Sequence, residues 1–200
     1  MTLCLFAICL VCSALLAGVY ALTAEPIAAA AAAKNEAAIK EVLPEAAVAI
    51  EEERTVEMDG QTYSYNLAYD EQGNTVGCAI NVSTLGFGGP IVIKVGFNAE
   101  GLIWNTKVLS QAETPGLGAK CTESAFADQF KQFNPAQKSL KVKKDGGDVD
   151  AITASTITSR AYSNGLAVAV NVFSTIVGTP MPLDSTTGAT VAGETKTMEE

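Results

Sequence analysis

From Leu3 to Ala24 the chain carries no charge, and Leu, Ala, Ile, Phe, Val and Cys dominate. A run of that length matches the ~20 residues a helix needs to cross a bilayer core, where every backbone polar group must be satisfied within the segment. Leu3 to Leu22 therefore reads as a transmembrane anchor. A cleaved signal peptide, with Val19-Tyr20-Ala21 as a small-residue cleavage site, is the alternative, but the run exceeds the ~7–15 residue apolar core of such peptides. Both readings export the remainder of the chain. No Lys or Arg precedes the run and the first basic residue after it is Lys34, so the positive-inside rule has little to count.

Charge narrows the range of partners. The 200 residues hold 13 Lys plus Arg against 22 Asp plus Glu, a net charge of -9, which disfavours nucleic acid or an anionic membrane surface. There is no histidine, so a Ser-His-Asp triad, a Cys-His dyad and a histidine-ligated zinc site are excluded for these residues. Cys9-Leu10-Val11-Cys12 is formally a CxxC, but inside an apolar run it reads as small residues facing lipid or another helix. Cys78 and Cys121 are either paired or free, and their spacing does not choose.

Behind the anchor, Ala28 to Ala33 runs into Lys34-Asn35-Glu36-Ala37-Ala38-Ile39-Lys40-Glu41-Val42-Leu43. These are strong helix formers and predict a helical connector over 25–54, with Pro44 ending the helix. From about Thr55 the periodicity becomes two. Gln61 to Tyr69 and Thr75 to Val82, separated by Glu71-Gln72-Gly73-Asn74, predict one hairpin. Pro90 to Phe97 and Leu102 to Leu109, joined by Asn98-Ala99-Glu100-Gly101, predict a second, with Gly101 at a positive φ. Thr122 to Phe133 suits a short amphipathic helix with Thr122 as N-cap. Ser139 to Val142 reads as a short strand, and Lys143 to Asp148 as a turn.

Asp150 to Ser159 crowds hydroxyls just before a helix-length apolar run over 160–177. Capping of free backbone N–H groups explains one or two of them. A helix start rich in hydroxyls is also a good phosphate seat, because free donors and the helix dipole both favour an anion. Between Glu113 and Gly118, Pro115 and Gly116 predict a turn that projects Leu117 and exposes backbone amides, suited to close approach by a planar ring.

These segments together resemble a known family. Asp150-x-x-Thr153-Ala154-Ser155-Thr156 resembles the Asp-x-x-Ser/Thr-Gly-Ala-Thr motif of the FMN-binding domain shared by the RnfG subunit of Rnf complexes and the NqrC subunit of sodium-pumping NADH:quinone reductase. Gly86-Phe87-Gly88-Gly89-Pro90-Ile91 is similar to the family's Gly-aromatic-Gly-Gly segment, and Ser110 to Lys120 resembles its Glu-Thr-Pro-Gly-Leu-Gly loop. Thr23 to Ile27 also looks like RnfG, and the motifs occur in family order. Two departures stand out: Ala154-Ser155 replaces the motif's Gly-Ala, and Asp184-Ser185-Thr186-Thr187-Gly188-Ala189-Thr190 repeats the motif to the letter in a polar tail.

The resemblance implies an α+β fold: a single N-terminal transmembrane helix at 1–24, then a soluble FMN-binding domain at 55–180 with a mainly antiparallel sheet and flanking helices, then a polar tail at 181–200 without regular structure. It implies FMN joined to Thr156 through a phosphoester, with Thr190 as the alternative attachment. By the same resemblance Thr153, Ser155, Thr158 and Ser159 surround the phosphate, and Asp150 belongs to the motif read by a flavin transferase. Glu113, Thr114, Gly116, Leu117, Gly118 and Lys120 line the ring site, with Phe87 and Gly88 as a further wall. The function implied is that of an electron-transfer subunit of a membrane-bound ferredoxin:NAD⁺ oxidoreductase that moves Na⁺ or H⁺. Its partners would be the other Rnf membrane subunits, above all the second flavin-carrying one, and its flavin domain would lie on the outer face of a bacterial cell membrane. An NqrC-like subunit, an anchored extracellular flavin reductase and an accessory protein without FMN are the alternatives. The chain needs no acid, base or nucleophile of its own for this task, because FMN carries the redox chemistry.

Overall fold

The structure, a computed structural model, describes residues 1–178. It divides into two compact units, one ending at Ala37 and the other beginning at Ala38. The first unit is helical, part of α1 (Thr2–Val42). Among the described residues this is the one helix long and apolar enough to cross a membrane. Its apolar side chains lie open, Leu5, Phe6, Leu15, Leu16 and Tyr20 among them, as do Cys4, Cys9 and Cys12. An α-helix of 41 residues is about 60 Å long, twice the ~30 Å of a bilayer core. The anchor and connector read from the sequence as separate pieces are thus one element, and Pro26 sits inside it.

The connector's helix ends at Val42, ahead of Pro44, whose ring excludes helical geometry from the residue before it. The rest of that stretch is not helical: β1 (Ala49–Ile50) and the first residue of β2 (Arg54–Met58) fall in it, and both pair with β3 (Gln61–Tyr69). β3 continues antiparallel into β4 (Thr75–Leu85), β5 (Pro90–Asn98) and β6 (Ile103–Ser110), giving the order β1-β3-β4-β5-β6 with β2 also on β3. Both expected hairpins are present, and Gly101 has φ 82°.

α3 (Thr156–Val177) covers one face of the sheet. Ile80, Val82, Ile93, Val95 and Phe97 meet Tyr162, Leu166, Val170 and Phe173 there, and the Phe97 and Phe173 rings stack at 4.8 Å. On the other face Ile39, Val42 and Leu43 pack against Ala68 and Ala79. β4 is therefore buried continuously from Gly77 to Ile80, where a one-faced sheet would alternate. Cys78 and Cys121 are both free and buried; burial pushes the Cys78 thiol up to about 12 and the Cys121 thiol up to about 11, so both stay protonated.

Two local expectations give way. The segment after β6 is not one amphipathic helix but a 3₁₀ turn (Gly118–Thr122), the four-residue α2 (Ser124–Ala127) and another 3₁₀ turn (Asp128–Phe130). Thr122 is no N-cap: Glu123 holds that position, and the Thr122 hydroxyl donates back to the Ala119 carbonyl. Tertiary packing overrides helical continuity here, because Phe126 and Phe130 both clamp the Tyr162 ring, at 5.2 and 5.1 Å. Ser139–Val142 forms no strand; only the isolated parallel bridge between Val142 and Val149 remains. The following turn is a 3₁₀ segment (Lys143–Asp145) closed by left-handed Gly146.

Candidate functional site

The family-like motifs meet at the N-terminus of α3. Gly86–Gly89 joins β4 to β5, Glu113–Gly118 follows β6, and 150–156 leads into α3, so the antiparallel sheet brings three distant segments to one end. A cavity of about 410 Å³ lies among them, lined by Phe87, Glu113, Thr114, Leu117, Gly118 and residues 154–158. That volume falls in the range of small-molecule and cofactor sites. Phe87 is 71% exposed, Ile157 49% and Leu117 43%, an apolar rim around a polar floor.

Glu113 ties the segments together. Its buried carboxylate accepts from the Gly88 backbone N–H through Oε1 at 2.9 Å and from the Thr158 hydroxyl through Oε2 at 2.6 Å. Its own N–H donates to Gln111 Oε1 at 2.6 Å. Two glycines make room for it: a Cβ on Gly86 would lie 2.1 Å from Oε1, and one on Gly118 would lie 2.1 Å from Oε2. The turn between Thr114 and Leu117 forms as its sequence predicts, with Gly116 at φ 76° and the Leu117 N–H bonded to the Thr114 carbonyl.

At the helix start, capping does not account for the hydroxyls. Ser155 occupies the N-cap position without a side-chain capping bond. Ser159 Oγ instead donates to the Ser155 carbonyl at 3.0 Å and accepts from the Ile152 N–H at 2.9 Å, holding the preceding turn against the helix. Thr158 lines the cavity and its hydroxyl donates to Glu113, while the Ser159 hydroxyl donates to the helix backbone. Thr156 also lines the cavity, and its Oγ1 accepts from Lys144 Nζ at 3.2 Å. Thr156, Ile157 and Thr158 occupy the first three helical positions, whose N–H groups find no intrahelical acceptor and suit an anion.

Asp150, exposed, pairs with Lys143 at 2.8 Å, and Thr153, Ser159, Gly88, Gly116 and Lys120 are not among the residues lining the cavity. Lys120 is exposed near the end of its 3₁₀ turn. Thr190 lies outside the described residues. Ile157, which lines the cavity, and the neighbouring Lys144 escape a reading by motif, whereas Ala154 also lines it and stands within the motif. Ala154 has φ 61°, a left-handed conformation, at the motif position where the resembling family has glycine. A planar ring finds apolar walls in Phe87, Leu117 and Ile157, and a phosphate finds a hydroxyl, helix amides and an ammonium, so the residues present fit a flavin mononucleotide.

Comparison with known proteins follows the same lines. A family model of the FMN-binding domain matches residues 86–171, and one of the RnfG N-terminal region matches residues 1–42. The chain is 36% identical over 165 residues to the G subunit of an ion-translocating oxidoreductase complex of Methanosarcina acetivorans, covering 80% of this chain and 86% of that one. It is 33% identical to the G subunit of a proton-translocating ferredoxin:NAD⁺ oxidoreductase complex of Clostridium ljungdahlii, over 54% of this chain and 60% of that one. The corresponding protein of a Na⁺-translocating ferredoxin:NAD⁺ oxidoreductase complex of Acetobacterium woodii is 34% identical, over 50% of this chain and 51% of its own. The chain thus spans little more than half the length of the latter two. Among solved structures, the C subunit of a Na⁺-translocating NADH-quinone reductase from Parabacteroides distasonis is similar at a TM-score of 0.46 and 22% identity, covering 72% of this chain and 81% of that one.

Proposed function

Since the chain belongs to the RnfG family, the G subunits of ion-translocating oxidoreductase complexes, we propose that it is the electron-transfer subunit of a membrane-bound ferredoxin:NAD⁺ oxidoreductase, carrying electrons through an FMN esterified to Thr156. The observation that carries this reading is the placing of Thr156 in the cavity, at the first position of α3, where three sequence-distant motifs converge. α1 anchors the chain, and residues 55–180 are assigned to the flavin domain, on the outer side of the membrane. The remaining membrane subunits of the complex, including a second flavin-carrying one, are the partners, and a flavin transferase is the partner during maturation.

FMN supplies one- and two-electron chemistry when bound; the protein's part is placement. Phe87, Leu117 and Ile157 offer apolar surface to the ring, and the buried Glu113 carboxylate holds the two loops and the helix start in register. An ester link at Thr156 keeps the cofactor with the chain outside the cell, where replacement from the cytoplasm is cut off. The motif copy at Thr156 opens α3, whose first turn suits a phosphate, and Thr190 is the alternative attachment.

The test is to purify the complex through a tag on this chain and to follow its flavin absorbance on mixing with reduced ferredoxin. Bleaching of the chain's flavin, with NAD⁺ reduction lost when the chain is deleted, is the expected result. A complex that turns over at full rate without this chain would refute the role.

A further inference from the structure

Three basic side chains, Lys143, Lys144 and Arg160, approach the start of α3, and the fold uses them differently. Arg160, early in the helix, donates from Nε and Nη2 to the two carboxylate oxygens of Asp145 at 2.8 and 2.7 Å. Lys143 pairs with Asp150 at 2.8 Å. Lys144 stands between them in the 3₁₀ turn, and its ammonium donates to Thr156 Oγ1 at 3.2 Å. The turn is pinned on both sides: the Asp145–Arg160 fork ties it to α3, and the Lys143 N–H bonds the Val149 carbonyl at 2.8 Å.

We propose that Lys144 is the residue that recognises the flavin's phosphate, seating it beside Thr156 Oγ1 and staying as its counter-ion once the transferase has joined the two, a step that forms the Thr156 O–P bond, breaks the phosphoanhydride bond of an activated flavin nucleotide and releases the other phosphate half with the hydroxyl proton. The proposal rests on the reading that FMN occupies this cavity. A phosphate placed within bonding distance of Thr156 Oγ1 is necessarily within a few ångströms of an ammonium already in contact with that oxygen. A phosphodiester keeps one negative charge. A lysine donor and the unpaired amides of the first helical turn are both suited to hold it, and a charge-assisted bond is stronger than a neutral one. Pairing of the flanking Lys143 and Arg160 with Asp150 and Asp145 makes Lys144 the cation directed at the acceptor hydroxyl.

The test compares FMN with riboflavin, which has the same ring system and no phosphate. The full chain, produced without a flavin transferase and held in detergent micelles, is titrated with each flavin by fluorescence, as wild type, Lys144→Gln and Lys144→Arg. Wild type and Lys144→Arg are expected to prefer FMN, and Lys144→Gln to lose roughly fivefold in FMN affinity with riboflavin binding unchanged. A merely structural role would weaken both flavins together and would not be rescued by arginine. An unchanged FMN preference in Lys144→Gln overturns the assignment while leaving the FMN reading intact, whereas a wild-type chain that binds neither flavin overturns both.

Discussion

The carboxylate of Glu113 accepts hydrogen bonds from the Thr158 hydroxyl at 2.6 Å and the Gly88 amide at 2.9 Å, joining the start of α3 to the loop between β4 and β5. Removing the carboxylate in Glu113→Ala strands the buried Thr158 hydroxyl, and an unsatisfied buried polar group costs about 1–3 kcal/mol. Glu113→Ala is therefore expected to be less stable by about 2 kcal/mol in chemical denaturation of the detergent-solubilised chain. Thr158→Val should show part of the same loss, and the double variant less than the sum of the two.

Gly118→Ala tests the same junction from the other side. Its Cβ would sit 2.1 Å from Glu113 Oε2 and 2.7 Å from Thr158 Oγ1, too close for either to remain. Overpacking of this kind costs about 1–3 kcal/mol. A lower denaturation midpoint accompanied by weaker flavin binding is the expected outcome, because the bond that yields is the one that holds the cavity wall.

Ala154 offers a stabilising change. At φ 61° it holds a left-handed conformation that costs an L-residue roughly 1–2 kcal/mol, and it is exposed, so its methyl contributes little packing in return. Ala154→Gly should raise the unfolding midpoint, by about 0.5–1 kcal/mol once the greater unfolded-state freedom of glycine is counted. Thermal denaturation of the two chains side by side checks this.

On the face of the sheet away from α3, Lys94 is fully buried and its Nζ has no hydrogen-bond partner among the described residues. Burial lowers its pKa to about 8, only partly offset by the charge of Glu53. From about 8 up to the ordinary lysine value of 10.5 the unfolded chain holds a proton that the folded chain lacks, so this group makes stability rise with pH across that window. The buried thiols act in the opposite sense above their ordinary 9.0, since unfolded Cys78 and Cys121 lose protons that the folded ones keep. The net rise is thus confined to roughly pH 8 to 9. Lys94→Met should abolish that rise and be more stable at neutral pH, by on the order of 2 kcal/mol. Urea midpoints of both chains at several pH values measure it.

Much of this arrangement is legible in the residues. The two hairpins follow from alternation at period two interrupted by Gly73 and Gly101, and the turn at Pro115-Gly116 follows from the φ each residue favours. What the sequence hides is settled by distant contacts. The break in the segment after β6 comes from Phe126 and Phe130 closing on Tyr162, more than thirty positions away, and local helical spacing carries no sign of it. The second buried face of the sheet is made by Val42 and Leu43 against alanines, residues too small to announce a core. In the site, Thr156 and Glu113 are marked by motif, but the hydroxyls of Thr158 and Ser159 turn out to brace the structure, and Lys144 reaches Thr156 only because the Lys143–Asp145 turn folds back onto α3. The left-handed Ala154 is the exception in kind: the glycine that the resembling motif has there is the signal that could have revealed it.

The most direct test is peptide mass spectrometry of the chain purified from its native membrane, read for a mass increase of FMN less water. The account requires that increase on the peptide containing Thr156, absent after Thr156→Val. An increase on the Thr190 peptide alone would move the attachment site, and an unmodified chain would contradict the covalent flavin altogether.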